Sequence, residues 1–355
     1  MTKDEKYMAR CIQLAKNGAC GAAPNPMVGA VIVHNDTIIG EGYHIRCGEA
    51  HAEVNAIRSV KDESLLKEST IYVSLEPCSH YGKTPPCADL IISKQIPKVV
   101  VGCMDPFAMV AGKGIQKLRD AGIEVTVGIL EEDCRELIER FVTFNTLKRP
   151  YILLKWAESS DGFIDYQRTD GSPALLSSPL TSMLVHKFRT EYSAILVGRR
   201  TALLDNPSLT ARYWKGKSPT RIVIDKSLSL PKHLHLFDGS APTIVFTQET
   251  HTPCYPRTEF IQLDFTKDIL PQIMEALYQR KLQSLIVEGG SHTLQSFIDS
   301  SLWDEARIEI SPLQIREGVK SPNFPEKYIN LTKETFGRKI KYAYQSNSHE
   351  INKAK

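Results

Sequence analysis

A histidine and a glutamate lie two positions apart in this chain, and two cysteines follow at a distance. They are His51 and Glu53, then Cys78 directly after a proline, and Cys87 nine residues later. One imidazole and two thiolates suit Zn²⁺, and three protein ligands leave one of its four coordination positions free for water. Glu53 is too close to His51 in sequence to be a casual fourth ligand, so we expect it to move protons to and from that water.

The predicted secondary structure explains how these residues can meet. A strand leads into Pro77-Cys78 and on toward a helix over Ala88–Lys94, so we expect Cys78 at the N-terminus of that helix. The helix dipole there favours thiolate, which is the form that binds metal. A second helix is predicted over His51–Val60, and from its first turn the His51 ring and the Glu53 carboxylate can reach the same space.

Two less specific interpretations of these residues stay open at this point. One is a closed structural zinc site with Cys47 or His44 as fourth ligand, and the other is a pair of interior thiols without metal. A lone histidine or cysteine is more often a core residue than a ligand. The combination of His-x-Glu, Pro-Cys and a further cysteine is typical of zinc-dependent nucleobase deaminases. We therefore favour an open, hydrolytic zinc site.

Composition limits the class of partner. The chain has 355 residues, of which 42% are hydrophobic and 24% charged, and its formal net charge is +3. So small a charge provides no field for a long polyanion, which favours a small anionic substrate, bound by local Lys and Arg side chains, over nucleic acid. The apolar runs of the sequence are too short for a membrane span, and the N-terminus lacks the apolar stretch of a signal peptide. The eight cysteines are scattered irregularly along the chain, which indicates reduced thiols. We expect a cytoplasmic protein.

Strands and helices alternate along the chain, as in α/β domains. The first series ends with a predicted helix over Glu131–Leu147, and after Lys148-Arg149-Pro150 a strand over Tyr151–Trp156 begins a second series. We therefore predict two domains, residues 1–147 and 148–355. A polar stretch from Ser159 to Pro179 is predicted to be irregular, and the tail from Ser346 is expected to fray.

Longer motifs in the first half resemble those of the bifunctional deaminase–reductases of riboflavin biosynthesis. They are Pro24-Asn25-Pro26-Met27-Val28-Gly29, Gly42-Tyr43-His44, Gly48-Glu49-Ala50-His51-Ala52-Glu53, and the segment from Leu75 to Cys87. Cytidine and tRNA-adenosine deaminases share the His-x-Glu core, but they usually close the site with Cys-x-x-Cys. The long insertion between Cys78 and Cys87, which carries Gly-Lys-Thr-Pro-Pro, is peculiar to the riboflavin enzymes.

The resemblance implies a role for each matching residue of the first domain. It implies that zinc is held by His51, Cys78 and Cys87 and that Glu53 is the proton shuttle. It further implies that the pyrimidine ring or its ribosyl phosphate is bound by Asn25, His44, His80, Lys83 and Thr84. The residue types agree, because Lys83 and Thr84 offer an ammonium and a hydroxyl to a phosphate and Asn25 can read an amide edge. An alternative for His44 is a strand-end histidine whose ring is satisfied by backbone groups.

The resemblance extends through the second half, to a reductase domain that has a dihydrofolate-reductase-like fold and uses NADPH. The matching motifs are Lys155-Trp156-Ala157, Ser160-Asp161-Gly162, Val185-His186-Lys187-Phe188-Arg189, Ala194 to Gly198, Thr201, Asp205 to Arg212, and Glu288-Gly289-Gly290. The implied cofactor contacts are Ala157, Leu175, Thr201, Asp205, Gly290, Ser291, His292, Thr293, Leu294, Gln295 and Ser296. The implied substrate contacts are Lys155, Arg189, Leu209, Arg212 and Glu288.

Residue types alone indicate a binding site less strongly in this half than in the first half. The turn around Gly289-Gly290 follows a predicted strand and precedes a helix, which suits a phosphate, but it is not a G-x-G-x-x-G dinucleotide motif. Arg189 and Arg212 are plausible partners for a ribosyl phosphate because guanidinium forks match phosphate oxygens. Without the resemblance, two solvated surface arginines would be the simpler interpretation.

The chain departs from the family pattern at three places. Phe107-Ala108 stands where the family usually has Asn-Pro, Leu175-Leu176-Ser177-Ser178 replaces Trp-Ile-Thr-Ser, and residues 313–318 replace a Leu-Gly-Gly region. The second change removes an aromatic ring that would pack on the cofactor. Each of the last two is either neutral or the mark of a weakened reductase.

The sequence therefore predicts an N-terminal cytidine-deaminase-like α/β/α layered domain and a C-terminal dihydrofolate-reductase-like α/β domain. The predicted function is zinc-dependent hydrolytic deamination of 2,5-diamino-6-ribosylamino-pyrimidinone 5′-phosphate, followed by NADPH-dependent reduction of the ribosyl to a ribityl side chain. Alternatives are a deaminase with a weakened reductase-like domain, a nucleic-acid deaminase with an appended binding module, and a protein with purely structural zinc. Assembly into a homo-oligomer is left open.

Overall fold

The structure, a computed structural model, describes residues 1–80, 85–106, 112–168 and 172–345. Contacts between Cα atoms divide the chain into two units, Met1–Leu147 and Lys148–Lys355. Within the described ranges, every helix is too short or too polar to cross a membrane.

The first unit is a three-layer α/β/α domain built on a five-stranded sheet. Its strands are β1 (Gly29–His34), β2 (Thr37–Tyr43), β3 (Thr70–Leu75), β4 (Lys98–Cys103) and β5 (Glu124–Val127). Their spatial order is β2-β1-β3-β4-β5, with β1 antiparallel to its two neighbours and β3, β4 and β5 parallel. Its helices are α1 (Lys3–Lys16), α2 (Ala52–Ser59), α3 (Cys87–Ser93), α4 (Lys113–Asp120) and α5 (Glu131–Leu147).

The alternation of side chains along β1 assigns the helices to the two faces of this sheet. Ala30 and Ile32 pack in one core with residues of α2, α3 and α4, whereas Val31 and Val33 pack in the other with α1 and α5. Helix α2 lies directly against β2, since a Cβ at Gly42 would be only 2.3 Å from the backbone nitrogen of Ala56. The start of α2 is therefore held close to the sheet.

The second unit is built on a nine-stranded, mostly parallel sheet. The described strands of this unit, all of which belong to the sheet except β7 and β14, are β6 (Tyr151–Ser159), β7 (Phe163–Tyr166), β8 (Ala194–Gly198), β9 (Thr220–Ile224), β10 (Thr243–Thr247), β11 (Thr258–Gln262), β12 (Ser284–Val287), β13 (Glu305–Ser311), β14 (Gly318–Lys320), β15 (Ile329–Thr335) and β16 (Arg338–Tyr344). The sheet order is β11-β10-β9-β8-β12-β6-β13-β16-β15, and β7 pairs separately with β14. Strands β16 and β15 join β13 in antiparallel fashion.

The helices that accompany this sheet in the described part of the unit are α6 (Pro179–Glu191), α7 (Arg199–Asp205), α8 (Ile269–Gln279) and α9 (Ser291–Asp299). Residues of α8 and α9 contribute to one large core cluster, and a second cluster contains residues of the segment before β10. Short 3₁₀ helices occur at Glu63–Glu68, His235–Phe237 and Glu326–Tyr328. Both units are thus of the α/β class.

Several elements of the second unit are not predicted from the sequence. They are α7, β7, β11, β14, β15 and β16. The prediction of an irregular stretch from Ser159 to Pro179 is wrong over Phe163–Tyr166, which forms β7. The physical reason is that β7 and β15 are only partly buried, so neither needs the alternation of apolar and polar residues that identifies a strand. The tail from Ser346 lies outside the described residues.

Candidate active sites

Three side chains from two distant segments converge beyond the end of β3. The ligand atoms of His51, Cys78 and Cys87 all lie within 4.8 Å of one another. His51 Nδ1 is 3.7 Å from Cys78 Sγ and 3.4 Å from Cys87 Sγ. Zinc bonds to nitrogen and sulfur at a tetrahedral angle would separate those atoms by about 3.6 Å. The three residues therefore fit a zinc ion.

Helix starts position these ligands. His51 immediately precedes α2, and its ring makes no capping hydrogen bond, so the ring can face the two thiols. Cys78 is not part of α3, which begins at Cys87. It nevertheless lies at the N-terminus of α3, as predicted, since the Cys87 backbone N–H donates to Cys78 Sγ over 3.3 Å. That hydrogen bond favours thiolate at Cys78.

Local charges and hydrogen bonds separate the pKa values of the two thiols. A hydrogen bond from the Cys87 thiol, supported by the His51 ring, lowers the pKa of Cys78 to about 4. The same hydrogen bond and burial raise the pKa of the Cys87 thiol. A divalent cation attracts thiolate at both positions and so offsets this difference.

Glu53 lies in the first turn of α2 and is almost completely buried, with 3% of its surface exposed. Burial and then the neighbouring Cys78 raise the pKa of its carboxyl to about 6. A carboxyl group with a pKa near neutrality can both accept a proton and return it. This is the property that a proton shuttle requires.

Asn25 and His44 lie beside the three ligands. The His44 ring is buried, and its centroid is 5.4 Å from that of His51. His44 Nε2 is 3.1 Å from the Asn25 amide nitrogen, and Nδ1 is 3.1 Å from the Ala50 carbonyl oxygen. Because an amide nitrogen can only donate, the His44 proton is on Nδ1 and the ring is neutral. Burial lowers the pKa of His44 in agreement with this assignment.

The other predicted contacts of the first unit are less well defined by the structure. His80 is exposed at the end of a described segment. Lys83 and Thr84 lie outside the described residues, and so do Phe107 and Ala108. The predicted roles of His80, Lys83 and Thr84 therefore stay predictions. The structural effect of the family departure at residues 107–108 is likewise outside the described residues.

A closed zinc site receives no support from the described part of the chain. His51, Cys78 and Cys87 form a group of three there, and neither His44 nor Cys47 belongs to it. Both ring nitrogens of His44 are engaged elsewhere, and Cys47 is exposed. Three protein ligands are the arrangement that keeps a coordination position open for chemistry.

A buried carboxylate, missed by sequence reasoning, holds the segment that carries Cys78. Glu76 accepts backbone N–H groups from Asp105 (3.2 Å), Gly112 (2.9 Å), Gly114 (2.8 Å) and Ile115 (3.3 Å). Four hydrogen bonds to one carboxylate fix the start of α4 against the end of β3. No local motif indicates this, because the four donors lie about thirty residues or more beyond Glu76 in sequence.

The second unit contains a cavity of about 900 Å³, within the size range of small-molecule and cofactor sites. Twelve of the residues predicted to contact cofactor or substrate line it: Lys155, Ala157, Leu175, Thr201, Asp205, Glu288, Gly290, Ser291, His292, Thr293, Leu294 and Gln295. Strand ends β8 and β12 meet closely here, since a Cβ at Gly289 would be 2.4 Å from the backbone nitrogen of Gly198. The Gly-Gly turn thus has a packing requirement.

Four predicted contacts lie off the lining of this cavity. Ser296 donates its hydroxyl to the His292 carbonyl oxygen, and the Leu209 side chain is buried in the core. Arg189 Nη2 donates to Glu288 Oε2 over 3.0 Å, so it adjoins the cavity through that carboxylate. Arg212 is exposed. The structure thus brings Arg189 next to the cavity through Glu288, whereas the side chains of Ser296, Leu209 and Arg212 do not line it.

Glu288 is the charged centre between predicted substrate contacts. Lys155 Nζ lies 3.8 Å from Glu288 Oε1, whereas Arg189 binds the other carboxylate oxygen, Oε2. Burial by itself raises the pKa of Glu288, but Arg189 and Lys155 outweigh burial, and the pKa is lowered. The carboxylate therefore stays ionised and orients both cations.

Three arginines that the sequence prediction omits also line the cavity: Arg168, Arg199 and Arg200. Arg168 bridges Asp165 and the predicted cofactor contact Asp205. Arg199 and Arg200 directly follow Gly198 at the carboxyl end of β8, the edge at which α/β sheets bind ligands, and this position could have identified them. Arg168 lies in the stretch expected to be irregular, where no pattern indicates it.

Fold and sites together define a class of enzyme in which a zinc deaminase unit is joined to a dihydrofolate-reductase-like unit. The family model for the cytidine and deoxycytidylate deaminase zinc-binding region matches residues 1–103, and the model for the RibD C-terminal domain matches residues 150–326. The chain is 40% identical over 320 residues to riboflavin biosynthesis protein RibD of Aquifex aeolicus, covering 89% of each chain. Against RibD of Escherichia coli the identity is 35% over 326 residues, covering 87% of this chain and 88% of the relative.

A solved structure from Thermotoga maritima, described as a diaminohydroxyphosphoribosylaminopyrimidine deaminase/5-amino-6-(5-phosphoribosylamino)uracil reductase, shares 37% identity and superimposes with a TM-score of 0.88. The match covers 96% of this chain and 98% of that one. The chain belongs to the RibD family of riboflavin biosynthesis proteins. It is an enzyme with deaminase and reductase activities, and its cofactors are Zn²⁺ and NADPH.

Proposed function

We propose that residues 1–147 deaminate 2,5-diamino-6-ribosylamino-pyrimidinone 5′-phosphate and that residues 148–355 then reduce its ribosyl unit to ribityl with NADPH. The observation that carries this proposal is the three-ligand group His51, Cys78 and Cys87 with buried Glu53 beside it. The 900 Å³ cavity of the second unit supplies space for a cofactor and a sugar phosphate. The activity described for the Thermotoga maritima relative supports this choice of substrate.

For the first step we assign zinc to His51, Cys78 and Cys87. Zinc, when bound, acts as a Lewis acid that makes a water reactive near neutral pH. Glu53 takes a proton from this water and delivers it to the departing ammonia, a role that suits a carboxylate buried in the first turn of α2, next to the His51 ligand. Asn25, His44, His80, Lys83 and Thr84 bind the pyrimidine ring or its ribosyl phosphate.

For the second step the cofactor contacts are Ala157, Leu175, Thr201, Asp205 and residues 290–296. NADPH, when bound, supplies the hydride. Lys155, Arg189, Leu209, Arg212 and Glu288 face the substrate, and Glu288 orients Lys155 and Arg189 toward it. The guanidinium groups of Arg189 and Arg212 match the oxygens of the ribosyl phosphate.

The proposed setting is the cytoplasm, with a small phosphorylated pyrimidine as substrate. A net charge of +3 and the lack of a basic aromatic stripe in the sequence disfavour a nucleic-acid substrate. Measurable tight binding of an oligonucleotide would contradict this part of the proposal.

The decisive experiment supplies the diaminopyrimidine phosphate with and without NADPH and identifies the products by mass. We expect ammonia and the deaminated ribosylamino product without NADPH, and the ribitylamino product with it. Pre-deaminated substrate tests the second unit alone. Failure to consume NADPH with that substrate would favour the alternative of a deaminase with a weakened reductase-like domain.

A further inference from the structure

His186 is a buried histidine of the second unit whose partners belong to the proposed substrate site. It lies on α6, three residues before Arg189, and 5% of its surface is exposed. The Arg212 backbone N–H donates to His186 Nδ1 over 2.9 Å. A ring nitrogen that accepts a hydrogen bond carries no proton, so the ring is neutral with its proton on Nε2. His186 thus ties α6 to the segment that carries Arg212.

The His186 ring also contacts the residue that follows Arg212. Its centroid is 4.6 Å from that of the Tyr213 ring, with an interplanar angle of 62°. Burial, and then the charges of Arg189 and Arg212, lower the pKa of His186 to about 4. The ring is therefore neutral near pH 7 and remains able to accept the Arg212 N–H.

The guanidinium groups of Arg189 and Arg212 meet at Thr210. Arg189 Nη1 donates to the Thr210 carbonyl oxygen, and Arg212 Nη1 donates to the Thr210 hydroxyl, each over 3.3 Å. Two guanidinium groups at one residue can bind one phosphate from two sides. Arg189 Nε is buried and has no hydrogen-bond partner among the described residues, which leaves a donor for a ligand.

The two arginines are held in different ways. Glu288 accepts a hydrogen bond from Arg189, but no carboxylate in the described part of the chain pairs with Arg212. Two like charges side by side repel, so the Arg212 segment needs another attachment. His186 provides one through the Arg212 backbone.

We propose that His186 is a positioning residue of the reductase reaction, which holds the Thr210–Tyr213 segment so that Arg212 and Arg189 bind the ribosyl phosphate together. The inference rests on the proposed function, because it takes these two arginines as the phosphate-binding groups. His186 itself does not touch the substrate and acts through Arg212.

The test compares His186→Leu, which removes the acceptor, with His186→Asn, whose side-chain oxygen can replace Nδ1. Lys187→Gln, on the same helix, is the matched control. In the full-length enzyme, KM and kcat are measured with 5-amino-6-ribosylaminouracil 5′-phosphate and with the corresponding nucleoside, and the Kd for NADPH by fluorescence. We expect His186→Leu to raise KM for the phosphate about tenfold, the effect of one lost hydrogen bond. His186→Asn should stay within about threefold of wild type.

The readouts separate positioning from general damage. In His186→Leu, kcat, the KM for the nucleoside and the Kd for NADPH should match those of wild type and Lys187→Gln. The double variant His186→Leu/Arg212→Gln should be no worse than Arg212→Gln alone, because both changes remove the same phosphate contact. Equal KM increases for phosphate and nucleoside, or a His186→Asn variant as impaired as His186→Leu, would overturn the inference.

Further outcomes distinguish this inference from the proposed function. If Arg212→Gln leaves KM for the phosphate unchanged, the proposed phosphate site is wrong, and the inference fails with it. If Arg212→Gln raises KM but His186→Leu does not, only the inference fails. Should His186→Leu not fold, Tyr213→Ala replaces it, since Tyr213 is 64% exposed and its loss is easily tolerated by the core. An increase of about threefold in KM for the phosphate alone is then expected, and no change would count against the inference.

Discussion

The two units of this enzyme build their sites on different scales. In the first, three ligand atoms lie within 4.8 Å of one another and a single buried glutamate adjoins them. In the second, a 900 Å³ cavity is lined by parts of β6, β7, α7 and α9 and by the segment before α6. A metal ion needs a few close ligands, whereas a dinucleotide and a sugar phosphate need many weaker contacts. We therefore expect single substitutions to abolish the deaminase activity of the first unit but to change the reductase activity of the second only partly.

The strongest contrast should come from Glu53→Gln. This change keeps the shape of the side chain but removes the group that accepts and returns the proton, which is expected to slow deamination by about 10²- to 10⁴-fold. Ammonia release measures the loss, and metal analysis should find zinc still bound. Reduction of pre-deaminated substrate by the same variant is the internal control. Deamination at the wild-type rate would contradict the role of Glu53.

The next largest effect concerns the Glu76 hydrogen bonds that hold the backbone around the first site. Glu76→Ala leaves four backbone N–H groups without their acceptor and is expected to lower the free energy of unfolding by about 3 kcal/mol. Denaturant titration of the full chain, with zinc release as the probe of the first unit, measures this. Glu68→Ala, at an exposed glutamate, is the control and should change little. Equal midpoints for the two variants would show that Glu76 does not hold the site.

A smaller effect is expected on the stability of the second unit at acidic pH, and its source is His186. The pKa of His186 is lowered from 6.5 to about 4, so between these values the unfolded chain binds a proton that the folded chain does not. Stability therefore falls as the pH falls through this range and is unaffected above it. Denaturant unfolding at pH 7 and pH 5 should show a larger loss for wild type than for His186→Asn. The same loss in both proteins would exclude His186 as the source.

The smallest expected effect is a gain in the affinity of the second unit's cavity for NADPH. Leu175 lines the cavity and is 83% exposed, at the position where the family usually has tryptophan. An aromatic ring there could stack on the cofactor, so Leu175→Trp should lower the Kd for NADPH by about threefold. Fluorescence titration measures this, with Leu180→Trp, at a residue off the cavity lining, as control. An unchanged Kd would show that this family departure is neutral.

Buried strands are the elements that the sequence indicates most clearly. Strand β1 combines five buried residues with helices on both faces, and its apolar run marks it clearly. Strand β15 is largely exposed and β16 is mostly half-buried. Both carry charged residues such as Lys333, Glu334 and Lys341, and neither contains the run of buried apolar residues that indicates β1. They form because they extend the sheet from β13, which is a tertiary interaction.

The sequence by itself determined the chemistry of the first site, because zinc selects a few side-chain types and these residues lie at helix starts or shortly after a strand. His51, Glu53, Cys78 and Cys87 could be named on that ground. Only the tertiary structure decided how they are held and what surrounds them. Glu76 holds Asp105 and the start of α4, and His186 holds Arg212, through backbone groups that have no side-chain signature. Such contacts depend on the packing of segments distant in sequence, so they arise only when the sheets and helices have assembled.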